Sequence, residues 1–224
     1  MNPMSRAVAL LSAGLDSTVT LATFLAGGGS VALALTFDYG QRALRREVER
    51  AAQIAGHYRL RHEVVELPWL ARISSASLNR PGASLEVDKA ESGPQDLWVP
   101  NRNGVFVNIA ASFAEELRAD TLLIGLNTEE SRRFPDNTVE FVAAENAALA
   151  LSTLAIPRLL APTAQLSKAE IILLGRELNA PLELVWPCYE SGETLCWDCP
   201  SCRLFRKALD QAGATEWFRS IMEK

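Results

Sequence analysis

Long apolar runs are absent from this 224-residue chain, and histidine and surplus positive charge are scarce. In residues 1–30, polar side chains such as Ser12 and Asp16 interrupt the apolar stretches before a membrane span or signal-peptide core is complete, so we expect a cytoplasmic protein. The formal net charge of −5 provides no overall positive field to hold a nucleic-acid backbone or an anionic membrane. Neither is therefore an expected partner, and small-molecule substrates are favoured.

Aromatic residues make up only 7% of the chain, but hydrophobic residues reach 48% and charged residues 22%, which is the balance of a compact enzyme. A chain of this length can bury one substantial core, and it is too short for two ordinary domains with linkers. We expect an α/β domain over residues 1–180, with residues 181–224 forming a smaller part packed on it.

Apolar stretches of strand length alternate with stretches of helical periodicity, which predicts βαβ units in a parallel, five-stranded, doubly wound sheet. The predicted strands are 7–11, 31–36, 61–66, 121–125 and 156–160. The predicted helices are 18–25, 42–55, 104–117, 139–151 and 167–178. Ser167 and Glu170 form a capping-box pattern at the start of the last helix. Residues 68–103, rich in Ser, Pro and Gly, resist this interpretation and suggest a lid over a substrate.

The first predicted strand is followed by a turn of small residues that opens a helix. A helix start offers free backbone amides and a positive dipole end, so such a turn can bind phosphate, with Ser12 and Ser17 donating hydroxyl hydrogen bonds. Asp16 could hold Mg²⁺ against phosphate oxygens. The simpler alternative is an ordinary turn in which Asp16 or Ser17 caps the helix. The phosphate-binding interpretation covers Leu11, Ser12, Ala13, Gly14, Leu15, Asp16, Ser17 and Thr18.

Four cysteines lie close together near the C-terminus, with seven, two and two residues between them. Thiolates at this spacing can surround Zn²⁺ in a structural site with no open position for water. An iron–sulfur cluster and buried free thiols remain the alternatives. The expected ligands are Cys188, Cys196, Cys199 and Cys202. We expect residues 203–213 to form a helix that packs against that site.

The turn Ser-Ala-Gly-Leu-Asp-Ser, residues 12–17, resembles the Ser-Gly-Gly-x-Asp-Ser signature of the PP-loop ATP pyrophosphatases. The resemblance implies that ATP is cleaved between its α and β phosphates and that AMP passes to a carbonyl or carboxylate oxygen. Ala13 stands where that signature has its second residue, a glycine. Because an alanine would forbid a positive φ at this point, we expect a slightly different loop geometry.

Together, this loop and the cysteine spacing resemble the 7-cyano-7-deazaguanine synthases of the QueC type, and the resemblance covers nearly the whole chain. Residues 38–42 (DYGQR), 99–103 (VPNRN), 125–127 (GLN), 135–136 (PD) and 168–171 (KAEI) match further segments of that family. The catalytic residues that the resemblance implies are Ser12, Asp16, Ser17, Arg102 and Lys168. It adds as binding residues Tyr39, Gln41, Arg42, Asn101, Asn103, Gly125, Asn127 and Asp136. Taken singly, Arg102 could instead pair with a surface carboxylate, Asn101 and Asn103 could only cap a helix, and Lys168 could be solvated.

The resemblance implies an ATP-dependent carbon–nitrogen ligase that uses ATP, Mg²⁺ and Zn²⁺. It would adenylate 7-carboxy-7-deazaguanine, form an amide with ammonia, and adenylate that amide to leave the nitrile. Such chemistry needs placement and charge neutralisation more than a nucleophile, which suits a chain with only two histidines. The resemblance leaves a homodimer open.

Residues 129–137 depart from the family pattern, so other products remain open. A related enzyme could stop at the amide or transfer the activated carboxylate to another amine, including a protein's. A tRNA-modifying PP-loop enzyme is a further alternative, and it predicts a basic face or an RNA-binding extension. A zinc-ribbon interaction module without nucleotide binding is the non-enzymatic alternative, which the retained loop residues disfavour.

Overall fold

The computed structural model describes residues 5–85 and 94–222 as an α/β fold around a five-stranded sheet with the order β3-β2-β1-β4-β5. All neighbouring strands pair in parallel, as predicted. The strands are β1 Arg6–Leu10, β2 Ser30–Asp38, β3 His62–Glu66, β4 Thr121–Leu123 and β5 Arg158–Leu160. Each predicted strand is present, although β4 and β5 are shorter than the apolar stretches suggested.

Helices follow the strands on both faces of the sheet. The five predicted helices are α1 Leu15–Ala26, α2 Leu44–His57, α4 Arg102–Glu116, α6 Val139–Ser152 and α7 Lys168–Glu177. The predicted capping box of α7 is present, because Ser167 and Glu170 each bond to the other's backbone amide. Two helices follow the cysteines, α8 Pro200–Gln211 and α9 Thr215–Met222.

Two shorter helices occur in segments that the sequence pattern did not resolve, α3 Pro68–Ile73 and α5 Thr128–Ser131. The segment proposed as a lid therefore has structure of its own, with 3₁₀ turns at Ser77–Asn79 and Pro94–Leu97. Residues 86–93 of that segment lie outside the described residues. Among the described residues, no helix is long and apolar enough to cross a membrane.

Alternate side chains of the strands build two of the three apolar cores. Val8 and Leu122 point towards one core together with Val107 of α4, whereas Ala7 and Leu123 point towards the other. This alternation is expected of a sheet with helices on both faces.

The third core joins the C-terminal part to α1 and α7. Val19 of α1 and Ile171 of α7 pack in one cluster with Cys202, Phe205 and Phe218. This core therefore includes residues from both sides of the predicted boundary at residue 180, and the division into two parts stays a prediction.

The order of the strands creates a crevice at the carboxyl ends of β1 and β4. The chain passes from β1 to β2 on one side and places β4 on the other, so the connections that leave these neighbours run in opposite directions. Ligands of open parallel sheets bind at such a point. Gly125, just beyond β4, lies so close to α1 that a Cβ there would sit 2.3 Å from the Ser17 nitrogen.

Candidate nucleotide-binding site

The loop after β1 contains a residue in the left-handed conformation. Ala13 adopts φ 59°, so the expectation that an alanine would exclude a positive φ here is wrong. The left-handed conformation costs an alanine about 1–2 kcal/mol. Tertiary contacts offset that cost, because Ala13 is fully buried and its carbonyl accepts a 2.8 Å hydrogen bond from the Trp186 amide.

The start of α1 is arranged to receive an anion. Gly14 is the extended N-cap residue and no side chain caps the helix, which excludes the simpler alternative of a cap by Asp16 or Ser17. The amides of the first helical turn therefore have no acceptor within the helix. The hydroxyl oxygens of Ser12 and Ser17 lie 3.2 Å apart beside those amides. Together they form a cradle of donors suited to phosphate oxygens.

A buried charge cluster forms the floor beside this cradle. Lys168 Nζ lies 3.0 Å from Asp16 Oδ2 and 3.0 Å from Glu130 Oε1. Asn127 donates to the same Asp16 oxygen at 2.9 Å and accepts from the Glu130 amide. The alternative of a solvated Lys168 is excluded, since the residue is 6% exposed. The other Asp16 oxygen, Oδ1, is buried without a partner among the described residues.

The pKa values in this cluster follow from burial and the shared cation. Burial opposes charge on Lys168, but Asp16 and Glu130 outweigh it and raise the lysine pKa. Burial raises the pKa of Asp16. Burial also acts to raise that of Glu130, but Lys168 prevails and lowers it. The lysine is therefore held as a cation beside the phosphate cradle.

A second group of polar side chains is built around Gln41. Its Nε2 donates to the Phe37 carbonyl at 2.8 Å and to Glu47 Oε2 at 2.7 Å, while its Oε1 accepts from the Tyr39 amide at 3.0 Å. The Arg102 guanidinium carbon lies 5.9 Å from the centre of the Tyr39 ring. Burial raises the pKa of Glu47 to about 7.

Most of the predicted site residues surround one cleft. Those that line it are Leu11, Ser12, Gly14, Leu15, Asp16, Ser17, Tyr39, Gln41, Arg42, Arg102, Asn103, Gly125 and Lys168. Ala13, Thr18, Asn127 and Asp136 are buried but do not line it. Asn127 orients Asp16, and the Asp136 carbonyl accepts a hydrogen bond from Asn103. Asn101 is exposed and does not line the cleft; it occupies the N-cap position of α4 in a left-handed conformation, and its side chain makes no cap hydrogen bond.

Sequence reasoning missed several residues of the cleft. They are Glu47, Phe106, Glu130, Asn137, Trp186 and Tyr189. Glu47 lies in the first turn of α2, soon after Gln41, and this proximity was a usable signal. Glu130 belongs to residues 129–137, where the chain departs from the family pattern, so no motif marked it.

The four cysteines form a compact cluster next to the cleft. Their sulfur atoms all lie within 4.8 Å of one another, with Cys188 to Cys196 at 3.4 Å and Cys196 to Cys202 at 3.8 Å. Tetrahedral zinc–sulfur bonds of about 2.3 Å require separations of about 3.8 Å. Backbone amides also donate to the sulfurs, including Cys202 N to Cys199 Sγ. The donor set therefore fits a four-thiolate metal site.

The segment between Cys188 and Cys196 is tied to the start of α2. Arg42 forms an ion pair with Glu190, and Arg46 donates to the Gly192 carbonyl at 2.7 Å and pairs with Glu193 at 2.8 Å. Trp186 and Tyr189, which bracket Cys188, line the cleft. The cysteine cluster thus supports one wall of the cleft.

A parallel sheet with a serine-containing anion cradle after β1, at the crevice between β1 and β4, is the arrangement of a PP-loop ATP-dependent enzyme. Within this class, a match to one family model identifies the family of the chain. Residues 6–213 match the model described as queuosine biosynthesis protein QueC. The chain belongs to this family, as the motifs indicated.

Curated relatives from distant organisms agree with the assignment. The 7-cyano-7-deazaguanine synthase of Pelotomaculum thermopropionicum is 48% identical, covering 93% of this chain and 98% of the relative. That of Bdellovibrio bacteriovorus is 43% identical, covering 95% and 96%. That of Methanosarcina barkeri is 41% identical, covering 94% and 96%.

Proposed function

We propose that this chain is an ATP-dependent carbon–nitrogen ligase that converts 7-carboxy-7-deazaguanine and ammonia to 7-cyano-7-deazaguanine, in the queuosine pathway. The observation that carries the proposal is the buried lysine cation of Lys168, held between two carboxylates beside the donor cradle of Ser12 and Ser17. Membership of the QueC family supplies the substrate class.

The proposed reaction has two adenylation steps. A substrate carboxylate oxygen attacks the α-phosphorus of ATP and releases pyrophosphate, and ammonia then displaces AMP to give the amide. The amide oxygen attacks a second ATP, again with loss of pyrophosphate. Loss of AMP and of both protons of the amide nitrogen leaves the nitrile. Every step builds or moves negative charge on phosphate, so fixed donors and cations are the contribution required of the protein.

Each of the predicted catalytic residues has a role in this scheme. Ser12, Ser17 and the α1 amides would bind the departing pyrophosphate, and Lys168 would neutralise charge at the α-phosphate. Arg102, beside the Tyr39 ring, would orient the substrate carboxylate. The scheme needs no side-chain nucleophile.

Two metals belong to the proposal. Oδ1 of Asp16, which has no hydrogen-bond partner among the described residues, and the carboxylate of Glu130, which lines the cleft, would hold Mg²⁺. That ion would supply charge neutralisation of the triphosphate. The four cysteines would hold one structural Zn²⁺. Elemental analysis of protein purified without added metal should give about one zinc per chain and no iron, and a coloured, iron-containing protein would contradict the zinc assignment.

We also propose a cytoplasmic location and a homodimer. Zinc-bound thiolates fit a reducing compartment. The second copy would cover the outer face of α6, where Leu151 and, just beyond the helix, Leu154 are 92% and 96% exposed. Monomers seldom leave such an apolar surface uncovered.

Mass spectrometry of a single reaction tests the function. The protein is incubated with ATP, Mg²⁺, ammonium and 7-carboxy-7-deazaguanine, and nitrile and AMP are expected. Accumulation of the amide, or transfer of the activated carboxylate to an added amine or to the protein itself, would show that the nitrile is not the end product.

Ser17→Ala should abolish AMP formation with little change in melting temperature, because Ser17 faces the cleft. Unchanged turnover in that variant would remove the loop from the site.

A further inference from the structure

Glu47 differs from the other carboxylates of the cleft. Asp16 and Glu130 share Lys168, whereas Glu47 has no ion pair among the described residues. The hydrogen bond that the structure gives its carboxylate comes from Gln41, at 2.7 Å to Oε2. A carboxylate has about four acceptor positions, so Glu47 brings unused acceptors into the cleft.

The orientation of Glu47 is fixed by its neighbour. Gln41 is anchored at both ends of its amide, by the Phe37 carbonyl and by the Tyr39 amide, so its Nε2 must face the glutamate. One acceptor position of Oε2 is thereby assigned to Gln41, and Oε1 together with the second acceptor position of Oε2 is left for a ligand. Preorganised acceptors of this kind select a ligand by its donors.

An aromatic surface lies in the same part of the cleft. Phe106 stacks on Phe37, with ring centres 4.1 Å apart and an interplanar angle of 5°, and lies 5.5 Å from the Tyr39 ring. All three line the cleft. Flat apolar walls beside an edge-on hydrogen-bonding group are how proteins hold a nucleobase.

We propose that Glu47 is the residue that selects the deazaguanine ring, by accepting hydrogen bonds from its ring N1–H and 2-amino groups while the ring packs on the aromatic wall. This inference rests on the proposed function and deepens it. An ionised carboxylate accepts two parallel N–H bonds from that edge, and charge-assisted bonds of this kind are the strong ones. The corresponding edge of adenine presents one donor and one acceptor, so an ionised Glu47 discriminates against the adenine of ATP.

The test compares Glu47→Gln with the wild type on two substrates. One is 7-carboxy-7-deazaguanine and the other is the same compound without its 2-amino group. Wild-type kcat/KM should fall about 100-fold or more when the amino group is absent, because the acceptor loses its partner. In Glu47→Gln the new amide nitrogen must face the ligand, since Gln41 requires the oxygen. The KM for 7-carboxy-7-deazaguanine should then rise about tenfold or more, the preference for the 2-amino group should collapse, and the KM for ATP should not change.

Calorimetry measures the affinity of the protein for both deazapurines without ATP, so the role of Glu47 can be tested separately from the proposed ligase activity. If the wild type makes no nitrile, the proposed function fails, but the difference in affinity between the two compounds still reports on Glu47. Glu116→Gln, a change on the exposed end of α4, is the matched control and should leave every constant unchanged. Unaltered selectivity in Glu47→Gln would overturn the inference. A raised KM for ATP alone would assign Glu47 to the adenine ring and overturn it equally.

Discussion

Ala13 holds a conformation that its methyl group disfavours, and this has a measurable consequence. Replacing Ala13 by Gly removes about 1–2 kcal/mol of backbone strain but also removes a buried methyl group and loosens the unfolded chain. Ala9→Gly, in β1, has the same losses with no strain to relieve. Urea denaturation should therefore show that Ala13→Gly loses at least about 1 kcal/mol less stability than Ala9→Gly. Equal losses would mean that Ala13 is not strained in solution.

Glu47 should make the stability of the protein depend on pH. Its pKa is raised by burial from 4.5 to about 7, so the folded protein holds a proton that the unfolded chain releases. The stabilisation by this proton is complete below about pH 4.5 and is lost as pH rises through about 7. The charged groups near Glu47 include Arg102, whose positive charge acts to lower the pKa of Glu47 but does not outweigh burial.

Comparison with Glu47→Gln isolates that effect. The variant cannot ionise, so its unfolding free energy relative to wild type should increase by on the order of 3 kcal/mol between about pH 4.5 and pH 8. Urea denaturation across this range measures the difference. A constant difference would show that Glu47 titrates near its ordinary value. The same titration predicts that the KM for the deazaguanine falls as pH rises through about 7, because only the ionised carboxylate accepts both bonds.

The contact between the end of β4 and the start of α1 depends on Gly125. A Cβ there would meet backbone atoms of Asp16 and Ser17 at 2.4 and 2.3 Å, so Gly125→Ala must displace the phosphate cradle. We expect a loss of stability of about 1–3 kcal/mol. We also expect ATP affinity to fall by about tenfold or more, measured by calorimetry.

Gly56 provides the control, because it lies in the last turn of α2 with nothing within 4 Å of its added Cβ. Gly56→Ala should raise stability by about 0.5–1 kcal/mol through helix propensity and leave ATP binding intact. If both variants bind ATP as the wild type does, the packing of Gly125 on α1 does not support the site.

The outer surface of α6 makes a prediction about assembly. Leu151, Leu154 and Ile156 are all more than half exposed, next to a helix whose outward residues include several alanines. Sedimentation of the wild type should show a dimer, and Leu151→Glu should shift it to monomer because a charge cannot be buried there without a partner. Leu173→Glu, at an exposed leucine of α7, should remain dimeric. A wild-type monomer at all concentrations would remove this surface from consideration as an interface.

The sequence alone determined the sheet, the loop after β1 and the cysteine cluster. Each of these features is defined by residues that are close together in the chain. The sheet follows from strand and helix periodicities, the loop from six consecutive residues, and the cluster from cysteines with two to seven residues between them. Local backbone preferences and short cysteine spacings do not depend on contacts with distant parts of the chain. The family motifs further along the chain led to Arg102 and Lys168, but not to the contacts that these residues make with Asp16, Glu130 and Tyr39.

Only the tertiary structure decided how those residues meet. Lys168 reaches Asp16 across 152 positions, and Arg42 reaches Glu190 across 148. The order of the strands and the packing of α7 on α1 set such contacts, so no local pattern contains them. Packing also reversed the expectation for Ala13, since a hydrogen bond from Trp186 and complete burial offset a backbone preference of about 1–2 kcal/mol. It likewise raised the pKa of Glu47, because desolvation depends on the atoms that surround a carboxylate and not on its neighbours in sequence.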